Sequence, residues 1–311
     1  MENKRKGNGM KDGFLSDDLS QDAWIDDVVD VPAGMGHSIR PRRVVLQHAK
    51  QRAAGIRDAK PLDIVEQDAP LFSPAPDLGW DDLTLCTPAL RGAGSSAIPV
   101  VDLDRDAATV RAFDLLRTRL RQSTQEHGWI NIGVTAPTSG CGNTFTAVNL
   151  ALSLSRITGS RTILMDFNLR KPDVAHEFGL KAPGRMKDYL SGEVDMTDHL
   201  VRVSDTLALG LSNAAESNSA ETLQDDQTWQ TLDQMRAALK PQLVIYDLPP
   251  MLVNDDVSAF VPQLDGVLLV SDGTQTIGRE LLECERMLEG HVPLLGVVLN
   301  RARASSIPRY A

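Results

Sequence analysis

The segment Val134-Thr-Ala-Pro-Thr-Ser-Gly-Cys-Gly-Asn-Thr-Phe-Thr-Ala-Val-Asn-Leu-Ala constrains the fold more than any other part of the chain. An apolar run, a Gly-rich turn and a helical apolar pattern follow one another directly. That order predicts a buried strand feeding a helix through a phosphate-binding loop. The backbone N–H groups of Ser139, Gly140, Cys141 and Gly142 would turn inward, joined by those of Asn143, Thr144 and Phe145 at the helix start. The positive end of the helix dipole would add to them, so fixed partial charges hold an anion. Thr144 stands where such loops place the hydroxyl that ligates Mg²⁺. Two positions depart from the full pattern: Ala136 replaces its first Gly, and Asn143 replaces its Lys.

Alone, this turn also reads as a strand-to-helix connection that binds nothing. Two further segments weigh against that. Arg161-Thr-Ile-Leu-Met-Asp166 and Leu243-Val-Ile-Tyr-Asp247 are apolar runs closed by a carboxylate, the second followed by Leu248-Pro249-Pro250. The carboxyl ends of parallel strands are where an open α/β sheet places its ligands. Asp166, Asp247 and Thr144 then form an oxygen-only metal shell that water and phosphate complete.

Strands rich in Val, Ile and Leu alternate with helical patterns from about 106 onward. Strands are predicted at 130–135, 161–166, 206–212, 242–247, 266–271 and 294–299, which calls for an α/β fold with a doubly wound, mainly parallel sheet. The chain has 311 residues, 42% of them hydrophobic, enough to bury a full core. Its formal net charge of −10 argues against nucleic acid as a partner. The apolar runs are too short for a membrane span or a signal peptide, and Cys86, Cys141 and Cys284 lack ligand spacing, so a cytoplasmic location is expected. Cys141 reads as a small filler, and none of the histidines forms a metal-ligand pattern. Tyr189 is expected to pack at the surface.

Residues 1–100 are expected to be a largely disordered or loosely packed extension. Within it, 42–57 shows a basic amphipathic stripe, which either packs on the protein or touches anionic lipid weakly. The Pro-rich, acidic stretch 61–100 is linker-like. A domain is expected over 104–303, followed by a tail, 304–311, that holds Tyr310.

On the loop at 136–144, the Asp motif at 166–172 and the Asp-Pro-Pro motif at 243–250, residues 106–303 resemble the cytoplasmic domain of bacterial tyrosine kinases of the capsule and exopolysaccharide type. That group has the P-loop fold of the partition ATPases. The resemblance implies ATP or ADP with Mg²⁺ as cofactors, held by Ser139 to Phe145, with Thr144, Asp166 and Asp247 on the metal and Asp166 and Asp247 at the catalytic position. Asn300, at the end of the last strand, matches an Asn that faces the adenine edge in such folds. The resemblance also implies a membrane polysaccharide co-polymerase or chain-length regulator as partner, assembly into homo- or hetero-oligomers, and Tyr310 as phosphorylation candidate.

The departures are as informative. Asn143 removes the loop cation and Asn168 the second carboxylate of the Asp motif. The assembly-helix pattern appears as Arg111-x-x-Asp114-x-x-Arg117, and the tail has one tyrosine in place of a cluster. Losing a positive contact to the transferring phosphate costs several powers of ten in rate, because phosphoryl transfer is mostly positioning and charge stabilisation. Ground-state binding suffers less and is expected to be weak. Arg170, Lys171 or a partner's basic residue remain as substitute cations. Three functions follow in order: a nucleotide-binding regulator of polysaccharide production with weak or absent catalysis, an active tyrosine autokinase with a substitute cation, and a partition-type ATPase.

Overall fold

All six strands that the sequence predicts form, and they lie in one eight-stranded sheet. The structure, a computed structural model, describes residues 79–88 and 108–302. Its strands are β1 (Thr84–Leu85), β2 (Asn131–Thr135), β3 (Thr162–Asp166), β4 (Leu200–Arg202), β5 (Leu207–Gly210), β6 (Leu243–Asp247), β7 (Gly266–Asp272) and β8 (Leu294–Asn300). Their spatial order is β1-β4-β5-β3-β6-β2-β7-β8. Only β4 and β5 pair antiparallel; every other neighbouring pair is parallel. The expected doubly wound, mainly parallel architecture is therefore present.

Both faces of the sheet are covered, which explains why its strands read as unbroken apolar runs. Successive residues alternate between two cores. Ile163, Met165, Val244 and Tyr246 pack on one side with Phe167 and Phe260, whose rings lie 4.9 Å from one another and from Tyr246. Leu164, Ile245, Ile132 and Val134 pack on the other against Leu150, Ala151 and Leu154 of the helix Asn143–Ser155.

Three features depart from the sequence expectations. Part of the linker-like stretch is folded: Trp80 and Leu83 are buried, β1 pairs with β4, and the Cys86 N–H donates to the Arg202 carbonyl at 2.7 Å. Proline count and acidity obscured a short apolar anchor, which Arg161 covers at 5.3 Å from the Trp80 ring. The three-residue strand β4 was missed because it is too short to show alternation. Tyr189 is buried, not at the surface, and stacks on His199 at 4.9 Å. The expectations for 42–57, the rest of 1–78, 89–107 and the tail with Tyr310 lie outside the described residues.

Candidate functional site

The sheet brings the carboxyl ends of β3, β6, β2, β7 and β8 side by side, and each delivers one predicted or unforeseen polar group. After β2 the chain enters the Gly-rich turn. Gly140 and Gly142 take φ of 85° and 92°, the left-handed region that glycine populates without a steric cost. Gly142 precedes the helix Asn143–Ser155, whose first turn is tied by the Thr146 N–H to the Gly142 carbonyl at 2.9 Å. A Cβ at 142 would sit 2.3 Å from Asn300 Nδ2, so the position also needs glycine for close approach. The predicted loop and helix start are thus built as expected.

Asp166 and Asp247 stand opposite each other in register at the ends of β3 and β6, both with no solvent exposure. The Val174 N–H donates to Asp166 Oδ2 at 3.0 Å, while Oδ1 has no partner. The Asn143 amide donates to Asp247 Oδ1 at 3.1 Å, and Oδ2 has no partner. Burial, then the nearby Asp247 carboxylate, holds Asp166 well above the usual carboxylate range. Burial pushes Asp247 up to about 7, although the Thr144 hydroxyl and the Asn143 amide pull it down. Two adjacent buried carboxyls, each with an orphaned oxygen, are costly unless a proton or a cation serves both. A divalent ion with oxygen ligands suits them, with Thr144 beside Asp247.

Beside the loop opens a cavity of about 340 Å³, whose lining includes Asn143 and Thr144 but neither Asp166 nor Asp247. Ser139, Gly140 and Gly142–Phe145 form one wall, Asn168, Arg170, Lys171 and Asp173 another, and Pro249, Pro250, Val253 and Asn254 a third. Asn143 is buried, and its amide also donates to the Leu248 carbonyl at 2.8 Å. The residue in place of the loop lysine therefore spends its amide on Asp247 and the Leu248 carbonyl at the end of β6.

Two predicted residues, Asn300 and Cys141, are absent from the cavity lining. Asn300 donates to the Cys141 carbonyl at 2.9 Å and accepts from the Arg301 N–H at 2.9 Å, so its side chain braces the loop. Cys141 is wholly buried, with Thr138 and Thr276 hydroxyls each 3.6 Å from Sγ, in keeping with a filler. Ser139, Gly140, Gly142, Asn143, Thr144 and Phe145 all line the cavity.

Sequence reasoning missed Asp272 and its pairing with Arg301. Asp272 ends β7, is shielded from solvent, and accepts from the Thr274 N–H and hydroxyl at 2.8 and 2.6 Å. Arg301 bridges it to the Gly140 carbonyl, 3.0 Å away. An Asp closing the apolar run 266–271 was the same signal that singled out Asp166 and Asp247. At the cavity rim, Asp173, His176 and Glu177 place ligand-type atoms within 4.8 Å of one another, a grouping that spacing alone did not suggest.

No family model matches the chain. Among characterised proteins it is 28% identical over 200 residues to EpsB of Ralstonia nicotianae, named as a candidate tyrosine-protein kinase; the match covers 63% of this chain and 26% of EpsB. It is 26% identical over 201 residues to the tyrosine-protein kinase YwqD of Bacillus subtilis, covering 64% of this chain and 83% of YwqD. The succinoglycan biosynthesis transport protein ExoP of Rhizobium meliloti is 26% identical over 178 residues, covering 55% and 22%. The aligned region thus spans about a quarter of the length of EpsB. The VpsO kinase domain aligns with a TM-score of 0.54 at 25% identity, over 63% of this chain and all of that domain. The kinase domain of Escherichia coli ETK aligns with a TM-score of 0.60 at 22% identity, over 74% of this chain and 93% of that one. EpsB and YwqD are named as bacterial tyrosine-protein kinases, and the fold is that of bacterial tyrosine kinase domains.

Proposed function

We propose that this chain is a nucleotide-binding, kinase-like regulator in capsule or exopolysaccharide production and export, with weak or absent catalysis. The reading rests on Asn143. Its amide is neutral, buried, and committed to Asp247 and the Leu248 carbonyl, so this position offers no charge to a phosphate. The rest of the site supports nucleotide binding: a glycine turn, a helix N-terminus, and two buried carboxyls with orphaned oxygens. Asp166, Asp247 and Thr144 would hold Mg²⁺, which when bound neutralises phosphate charge. Backbone amides of the loop would hold the phosphates of ATP or ADP. Binding survives in such a site better than transfer does, since transfer depends on charge placed at the transition state.

The likeness to EpsB and to the transport protein ExoP supports a role beside a membrane polysaccharide co-polymerase, which would bring this chain to the inner face of the membrane. Among the described residues, no helix is long and apolar enough to cross a membrane. Asp114 and Arg117 bond each other at 2.9 Å, with Ser153 and Arg156 joining them, so the altered assembly helix spends its charges within the chain. That favours the regulatory reading over a ring-forming autokinase.

An ATP turnover assay with phosphotyrosine detection tests the reading. Measurable nucleotide binding, turnover at background and no phosphate on Tyr310 in protein purified alone are expected. Phosphotyrosine at 310 that Asp166→Ala abolishes would instead establish an active kinase.

A further inference from the structure

The cations around the cavity differ sharply in what they have left to offer. Arg170 is spent: its Nε bonds Asp256 at 2.8 Å, one terminal nitrogen bonds the Ser217 carbonyl at 3.0 Å, and the other lies 3.9 Å from Asp255. Arg301 is spent on Asp272 and the Gly140 carbonyl. Lys171 is different. It lines the cavity, is exposed, and its ammonium has no ion pair or hydrogen bond among the described residues. Its backbone is nonetheless fixed, because the Lys171 N–H donates to the Asn168 carbonyl at 2.9 Å, in a turn anchored at the end of β3.

From this juxtaposition we infer that Lys171 supplies the cation Asn143 lacks, contacting the terminal phosphate of a bound nucleoside triphosphate from the wall facing the loop. The inference rests on the nucleotide reading above and concerns how a bound triphosphate is held, not its transfer. The loop amides and the helix N-terminus belong to one wall and suit the inner phosphates. Lys171 enters from the segment after β3, so it reaches the phosphate chain at a different point. A lysine is a compact, mobile point charge on a long stem, able to meet a phosphate without the fixed geometry an arginine fork requires. Its neighbour Asp173 lines the same wall, and Glu177 lies one helical turn beyond. These carboxylates repel a bare phosphate chain, so a triphosphate entering here needs both metal and Lys171 to be accepted.

The test measures ATP and ADP affinities by calorimetry, with Mg²⁺, for the full chain and for Lys171→Ala and Lys171→Arg. Lys171 is exposed and its ammonium has no hydrogen bond or ion pair among the described residues, so unchanged melting temperatures are expected. Lys171→Ala should weaken ATP by about ten- to a hundredfold, the range for a charge-assisted hydrogen bond, and ADP several-fold less. Lys171→Arg should keep most of the ATP preference, because charge is what counts at this contact. Equal losses for ATP and ADP, or no loss for either, would overturn the assignment of Lys171 while leaving the nucleotide site standing. Absence of any nucleotide binding to the unaltered chain would overturn both.

Discussion

Asp247 and Asp272 occupy matching places on either side of β2, at the ends of β6 and β7, and neither is exposed to solvent. Their chemistry is opposite. Thr274 and Arg301 saturate Asp272 and hold it below the usual carboxylate range. Asp247, with Asn143 and Thr144 beside it, keeps an orphaned oxygen, as does Asp166 across the strand register, and is pushed up to about 7. One wall of the loop is thus closed by the protein itself, through Arg301 to Gly140 and Asn300 to Cys141. The other wall is left open. A buried carboxylate that the fold fully satisfies serves structure, and one it leaves short calls for a proton, a water or a cation.

Substituting the two aspartates would break or sharpen this contrast most. Asp247→Asn should weaken Mg²⁺-dependent nucleotide binding by more than about 100-fold, since even outer-shell metal partners are worth roughly 10–100-fold. Asp272→Asn should instead lower the melting temperature and weaken binding only modestly. Equal binding losses in titration calorimetry would erase the distinction.

Next in size is the braced side of the loop. Gly142→Ala should cost about 1–3 kcal/mol of stability in denaturant unfolding, from left-handed strain and the collision with Asn300. A neutral effect would mean the brace is loose. Asn143→Lys should tighten ATP by about 1–3 kcal/mol, within the range of a hydrogen bond to a charged group. Unchanged affinity would show that the loop does not cradle phosphate.

The smallest effect is on pH. Asp247 titrates near 7 when folded, above its unfolded value, so its protonated form favours the fold. That stabilisation is complete below the unfolded pKa, about 4, and is lost as pH rises through 7. The metal-free protein should therefore melt lower at pH 8 than at pH 5.5 by a margin that Asp247→Asn reduces. Mg²⁺ affinity should rise over the same window, with proton release visible as a buffer-dependent heat. A flat profile would place the carboxyl in its ordinary range.

Local sequence determined the alternating strands and helices, the glycine turn, and the carboxylates at three strand ends. Those features follow from apolar runs and from residue types that dictate backbone geometry within a few positions. The short strands β1 and β4, two and three residues long, left no periodic trace. Only the tertiary structure decided which groups would be spent and which left free. Asn143 meets Asp247 across 104 residues, Asn300 meets Cys141 across 159, and Arg301 meets Gly140 across 161. Adjacent in the chain, Arg170 and Lys171 look interchangeable, yet the fold binds the first to Asp256 and leaves the second facing the cavity. A charge's availability depends on the partners that sheet order brings to it, and strand neighbours in a doubly wound sheet are distant in sequence.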